Sequence, residues 1–383
     1  MTPRSDVVEE LGRLVAFDSV SSRPMAELAA YVAQRCADLG FRVELFPDAH
    51  HAGKCTVVAN VGPETGREGL TVSGHLDVVP TEGQPWSSDP FAMVERDGRL
   101  YGRGTADMKG FLAATLHALA RIPTGALRRE LVLVWTHDEE VGCLGSAQVV
   151  AELGRRGRIL PTSCLIGEPT GFQVLRMHPG HVGVEIEVRG RAAHSSRPDL
   201  GKNAIVAAAK VIGAIEDLGR QLAAERSELP ELERPFVVLN VARIQGGSAI
   251  NIVPDRVVVQ LGYRQLPGMA DDAPFERLRA HLEANGPTGD WSARILRITP
   301  SLLTRAGTPL EGVLSRWAST PRVGAATFAT DGGNFAKLGV EPLVFGPGSI
   351  EVAHQADEFV PAAELVKAVD VVEGIVRAMC LGA

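Results

Sequence analysis

The segment Glu130–Thr136 (ELVLVWT) limits the fold more than any other stretch of this chain. Its apolar side chains point to both faces of an extended backbone, so it belongs inside a sheet covered on both sides. Strand-like runs also occur at Arg42–Phe46, Cys55–Val61, Leu70–Gly74 and Pro342–Phe345. Between them the apolar spacing is helical. Val7, Val8, Leu11, Leu14 and Val15 form one face, Leu28, Val32 and Leu39 another, and Asp18 to Arg23 separate them into two helices. Met108–Leu119, Ser146–Leu153, Leu310–Ala318 and Ala362–Met379 are further helical stretches. Strands alternating with helices define an α/β domain.

The texture changes after Glu168-Pro169-Thr170. Gly183–Arg189 (GVEIEVR) alternates with period two, Asn203–Leu222 is a long helical pattern, and Phe236–Ile244 and Arg256–Tyr263 alternate again. A helix at Ala273–Ala284 and a strand at Trp291–Ile298 complete the order β-α-β-β-α-β of a ferredoxin-like domain. The sequence reading therefore expects a catalytic-type domain over residues 1–177 and 301–383, interrupted by a second domain over 178–300. The length of 383 residues suits two or three domains of about 150 residues each.

Composition narrows the functional classes. The formal charge is −7 and no Lys/Arg run marks a phosphate-backbone footprint, so nucleic acid is not expected as a partner. Cys36, Cys55, Cys143, Cys164 and Cys380 form no C-x-x-C pair, which argues against a zinc ribbon and for reduced thiols. The N-terminal residues contain early acids and no apolar h-region, and no stretch reaches about 20 apolar residues, so neither a signal peptide nor a membrane span is expected. The expected location is cytoplasmic. G-x-S-x-G is absent, and Gly102-Arg103-Gly104 lacks the strand and helix of a dinucleotide fingerprint.

Five places carry chemistry. His75 lies in SGHLDVVP, Asp107 in GRGTADMKG, Glu139 and Glu140 in THDEEVGCLGS, Glu168 in LIGEPT and His354 in GPGSIEVAHQADE. Each falls at the end of an apolar strand or in a Gly-flanked loop, where open α/β sheets bind ligands. Two His with several carboxylates suit Zn²⁺ or a similar divalent ion. Singly, each has a plainer reading: a hydrogen-bonded imidazole at His75, a helix N-cap at Asp107, a turn at Glu168, a surface residue at His354. Glu139-Glu140 after a buried strand is harder to dismiss, because two uncompensated charges there are costly without a cation. Asp77 stands where it would orient the His75 ring.

Taken together, these motifs resemble the M20 metallopeptidase and deacylase family, in that family's order and over almost the whole chain. Its members include acetylornithine deacetylase, succinyl-diaminopimelate desuccinylase, aminoacylase and glutamate carboxypeptidases. The resemblance implies a mixed-sheet catalytic domain holding two Zn²⁺ per subunit, with Co²⁺ able to substitute, and an inserted lid domain that also forms a homodimer. By match to the motifs, Asp107 bridges both metals, His75 and Glu168 complete one site, and Glu140 and His354 the other. Glu139 is then the general base, with the metals activating water and polarising the scissile carbonyl. His194 in GRAAHSS matches a histidine that reaches over from the partner subunit to the oxyanion; its plainer reading is a loop imidazole.

Within the family, HSSRPDLGKNAI, RQLPGM and FGPGSIEVAHQADE look most like acetylornithine deacetylases. Asn251 and Arg264 match positions that hold a substrate carboxylate, although Asn251 also suits the turn before Pro254 and Arg264 a strand surface. The loop FATDGGNF places Thr330 and Asp331 on the expected substrate side, with Asp331 where many acetylornithine deacetylases carry Glu. The expected reaction is therefore release of acetate from N2-acetyl-L-ornithine, as in arginine biosynthesis. A desuccinylase, aminoacylase or carboxypeptidase is the neighbouring alternative, and a non-catalytic ligand-binding protein the alternative of another class.

Overall fold

The computed structural model describes residues 3–287 and 289–381, so the expected domain ends at residues 1 and 383 lie outside the described residues. The chain packs as two compact units, Met1–Met177 with Thr304–Gly324 and Thr330–Ala383, and His178–Leu303 with Ala325–Ala329. The short excursion at Ala325–Ala329 into the second unit has no counterpart in the sequence reading.

The first unit is built on a mixed sheet. Strands Glu130–Thr136, Gly69–His75, Ser163–Ile166 and Glu341–Val344 run parallel side by side. Cys55–Val61 and Arg42–Pro47 extend the Glu130–Thr136 edge in antiparallel fashion. Every residue of Gly69–His75 and of Glu130–Thr136 is buried, as two-sided apolar strands require. Helix Lys109–Leu119 packs against Pro3–Val15 and Ala362–Val376 and is buried almost all round, so its sequence lacks a polar face. Leu11, Leu112, Leu116, Leu365 and Val372 lie in this core. Full burial of such a side chain contributes about 1.5–3 kcal/mol.

Parallel strands put their C-terminal ends on one side of the sheet. His75 closes one central strand, His137 to Glu140 follow the next, and Glu168 stands two residues beyond a third. Two glycines let the connecting loops come close. Gly104 has φ +82°, and a Cβ there would stand 2.8 Å from the Val78 side chain. At Gly346 a Cβ would meet the Glu168 carbonyl oxygen at 2.6 Å.

The second unit is a four-stranded antiparallel sheet with two helices. Spatial order runs Val238–Gly246, Arg256–Arg264, His181–Arg189, Trp291–Thr299. This is the ferredoxin-like order, with helices Ala204–Ala224 and Ala273–Asn285 as the two crossovers. Along His181–Arg189 and Arg256–Arg264 buried residues alternate with part-exposed ones, so one face packs under the helices. The Asn203 side chain caps the longer helix by accepting from the amides of Ile205 and Val206.

Candidate metal centre

His75 is held before any ligand arrives. Its Nδ1 donates to the backbone carbonyl of Asp77 at 2.9 Å, which leaves Nε2 facing Asp107 Oδ1 at 2.9 Å and Glu168 Oε1 at 3.9 Å. That tautomer is the one a metal-binding imidazole takes when its other nitrogen donates to a carbonyl. The Asp77 carboxylate itself lies farther from the ring, 3.8 Å from Nδ1. It serves the next loop instead, accepting the amides of Glu139 at 3.0 Å and Glu140 at 3.2 Å and the Ser21 hydroxyl at 2.7 Å. Asp77 thus orients His75 through its backbone and the acidic pair through its side chain.

Asp107 stands at the middle. Its Oδ1 meets His75 and its Oδ2 lies 3.3 Å from His354 Nε2, which also contacts Glu140 Oε2 at 3.0 Å. Two ligand-like groups result, His75–Asp107–Glu168 and Asp107–Glu140–His354, each with its donor atoms within 4.8 Å of one another. They share Asp107, the only residue common to both groups.

The backbone is bent to achieve this. Asp138, Cys143 and His354 all adopt left-handed φ values, 53°, 56° and 63°. Each such non-glycine residue costs about 1–3 kcal/mol and persists where surrounding contacts fix it. Asp138 is fixed by Lys54, whose Nζ donates to both carboxylate oxygens at 2.8 and 2.7 Å and to the Ser21 carbonyl at 2.6 Å.

Electrostatics show how much positive charge the cluster wants. Burial, with Asp107 beside it, pushes the Glu140 carboxyl up to about 7. Glu168 is raised well above the carboxylate range by burial and Asp107. Glu139 is raised likewise by burial, with the acids Glu168, Asp331 and Glu140 adding to it against the opposing His75. His354 is pushed up to about 10 by its hydrogen bonds to Asp107 and Glu140. Burial works against a charged His75, but Asp107 and Glu168 outweigh it and hold its pKa well above the usual imidazole value. Glu140 Oε1 is buried and finds no hydrogen-bond partner among the described residues. Oxygen and imidazole donors, too many negative charges and an orphaned carboxylate oxygen together fit divalent cations.

Glu139 sits beside both groups without belonging to either. Its Oε1 accepts the Cys143 thiol at 3.3 Å, and it clusters with Cys143 and Asp331. Asp331 is buried and turned toward Thr136, whose hydroxyl donates to it at 2.6 Å. Thr330 is buried too, its hydroxyl accepting the Gly332 amide at 3.1 Å. The structure therefore places Thr330 and Asp331 buried inside the first unit, with Asp331 in one cluster with Glu139 and Cys143.

In the second unit His194 is exposed, its Nδ1 2.7 Å from the Ser196 hydroxyl. It pairs across a bridge with Ile252, so exposed Asn251 stands beside it. Arg264 lines a cavity of about 410 Å³ with Pro179, Glu233, Arg234, Phe236 and Thr327, a set that does not include Asn251. Burial and the nearby Arg297 lower the Arg264 pKa, and among the described residues no carboxylate pairs with it. Burial lowers His178 and His181 to about 4, so they stay neutral at pH 7. The cavity lining carries two guanidinium groups, Arg234 and Arg264, and one carboxylate, Glu233. Sequence reasoning passed over Cys143 and Glu358; both lie inside motifs it had already quoted, next to residues that drew the attention.

A fold with a shared-carboxylate acid and histidine cluster at the C-terminal ends of parallel strands defines a metallohydrolase class. The chain belongs to the M20/M25/M40 peptidase family, whose description matches residues 71–246, and it is a hydrolase of that family. It is 36% identical over 380 residues to the acetylornithine deacetylase of Myxococcus xanthus, covering 97% of each chain, and 35% identical over 350 residues to that of Edwardsiella ictaluri, covering 90% and 87%. Among solved structures it resembles an M20 family metallo-carboxypeptidase from Sulfolobus solfataricus, with TM-score 0.77 and 20% identity over 97% and 98% of the two chains. Aminopeptidase PepT from Bacillus cereus is similar in fold, with TM-score 0.73 and 21% identity over 97% and 98%. Among the described residues no helix is long and apolar enough to cross a membrane.

Proposed function

We propose that this protein hydrolyses the amide of an N-acyl amino acid, with N2-acetyl-L-ornithine as its substrate and acetate and ornithine as products. The observation that carries this reading is the pair of ligand groups joined at Asp107, with the uncommitted Glu139 beside them. The near full-length similarity to acetylornithine deacetylases supports the choice of acyl amino acid.

His75, Asp107 and Glu168 would hold one divalent cation, and Asp107, Glu140 and His354 a second, with zinc as the expected metal and cobalt as a substitute. Bound there, the two cations supply Lewis-acid polarisation of the amide carbonyl and a lowered pKa for the attacking water. Glu139 takes the water proton at the carboxylate oxygen that Cys143 leaves free and passes it to the departing amine as the C–N bond breaks. The raised proton affinity of Glu139, set by burial and its acidic neighbours, suits a group that must hold that proton in transit. Arg264, with its fork unpaired, anchors the substrate carboxylate.

His194 is the donor to the developing oxyanion, contributed by a second copy of the chain. Exposed Ile205, Ile250 and Ile252 line one cavity with Ser195 on the second unit, and Ile252 pairs with His194, which supports a homodimer formed there. The test is a panel of N-acetyl, N-succinyl and N-formyl amino acids with and without EDTA. The expected result is EDTA-sensitive hydrolysis fastest on N2-acetylornithine. Faster turnover of an N-succinyl substrate would move the assignment to a desuccinylase, and no turnover on any would favour a binding protein.

A further inference from the structure

Glu358 is four residues beyond His354, fully buried, and surrounded by donors. Its Oε1 accepts the amides of Ala106 at 2.9 Å and Asp107 at 3.0 Å. Its Oε2 accepts the Gly104 amide at 3.1 Å and Arg103 Nη1 at 2.7 Å. Three backbone amides of one loop and a buried guanidinium thus converge on a single carboxylate. The arrangement repeats what Asp77 does for Glu139 and Glu140, where one acid again takes two consecutive amides.

We propose that Glu358 is a positioning residue for Asp107, fixing the loop Gly104–Asp107 so that both Asp107 oxygens face the two ligand groups at once. This rests on reading Asp107 as the ligand shared by two cations. A shared carboxylate must serve two partners in fixed directions, so a small rotation of its backbone loses one of them. Only an acceptor with two oxygens and a full negative charge can satisfy three amides and Arg103 together. The same chain segment carries His354, so Glu358 also ties the loop of one ligand to the loop of another. Arg103 is in turn fixed by Gln84 Oε1 at 2.5 Å and lies over the Trp86 ring at 4.9 Å, so the carboxylate has a rigid backstop. Lys109 is buried beneath the same loop, its Nζ donating to the Phe17 carbonyl at 2.8 Å.

Glu358→Gln keeps the shape but turns an amide donor toward the Gly104 amide or toward the other amides and Arg103. Zinc affinity of the full-length apoprotein is read by chelator competition, with Co²⁺ absorption reporting ligand geometry and apoprotein melting reporting fold. The expected result is a loss of about 10–100-fold in zinc affinity, the usual effect of removing a partner that orients a metal ligand, with an altered Co²⁺ spectrum. Should Glu358→Gln fail to fold, Glu358→Asp decides: it retains the charge for Arg103 but not the reach to the Ala106 and Asp107 amides, and the same loss is expected. Wild-type zinc affinity and Co²⁺ spectrum in the folded variant would overturn the proposal alone. A wild-type chain that binds no zinc would overturn the shared-ligand reading and this proposal with it.

Discussion

Glu139 and Glu140 are neighbours in sequence whose side chains meet different partners. Glu140 turns toward His354 and Asp107, while Glu139 turns toward Cys143 and remains outside both ligand groups. If Glu139 moves the proton and Glu140 binds metal, their substitutions separate. Glu139→Gln is expected to keep its zinc content and melting temperature while kcat falls about 10²–10⁴-fold, the range of general acid–base catalysis. Glu140→Gln is expected to lose zinc. Steady-state rates and bound-zinc measurements on both variants decide it, and an unchanged rate for Glu139→Gln would remove the base. At this scale the sequence was readable wherever a residue sat in a compact motif, as His75, Asp107, Glu168 and His354 do. It was not readable for Asp331, whose burial against Thr136 depends on a strand nearly two hundred positions away.

The elements supply what single residues cannot. Strands Cys55–Val61 and Glu130–Thr136 match their sequence readings residue for residue, because apolar runs bounded by turns define both ends. The three-residue strands Val94–Arg96, Arg99–Tyr101 and Phe359–Pro361 were missed; none is long enough to show a period, and although the first two form a local hairpin, the third joins them from a distant segment. The Leu310–Ala318 helix is shorter than read, ending at Leu314 before an irregular turn. Asp77→Asn tests the link between His75 and the Glu139–Glu140 turn. With one of its acceptors replaced by a donor, the Glu139–Glu140 turn loosens, and kcat at saturating zinc is expected to fall about 10–100-fold.

The same loops make stability depend on pH in a defined direction. Glu140 is raised from 4.5 to about 7 and His354 from 6.5 to about 10 in the metal-free fold. A raised folded pKa contributes stability below the unfolded value and loses it as pH rises through the folded one. The metal-free protein should therefore melt at progressively lower temperature as pH climbs from about 4.5 through 7, and again toward 10. Zinc binds the deprotonated acids, so the gain in melting temperature on adding zinc should be larger at pH 7.5 than at pH 5.5, roughly following those pKa values. Scanning calorimetry with and without chelator checks this, and an equal zinc effect at both pH values contradicts it.

For the whole molecule, the two units have different sequence textures because they solve different burial problems. The first hides the central strands of its sheet on both faces, so every residue of Gly69–His75 and Glu130–Thr136 is buried; the second hides one face, so its strands alternate. That contrast made the inserted unit visible, but Ala325–Ala329 carries no periodicity and its membership is purely tertiary. If a second copy supplies His194, then His194→Ala and Glu139→Gln, each inactive alone, should complement when refolded together. About a quarter of wild-type activity is expected, since half of randomly paired dimers are mixed and each has one complete site. Absence of any recovery would place His194 in its own subunit's chemistry or outside it.

Anomalous diffraction at the zinc edge, on crystals grown with zinc, tests the central claim most directly. Two peaks are expected in each chain, one among His75, Asp107 and Glu168 and one among Asp107, Glu140 and His354, with an Asp107 oxygen on each. A chain with no peak in either group, or with a single ion that Asp107 does not touch, would contradict the account.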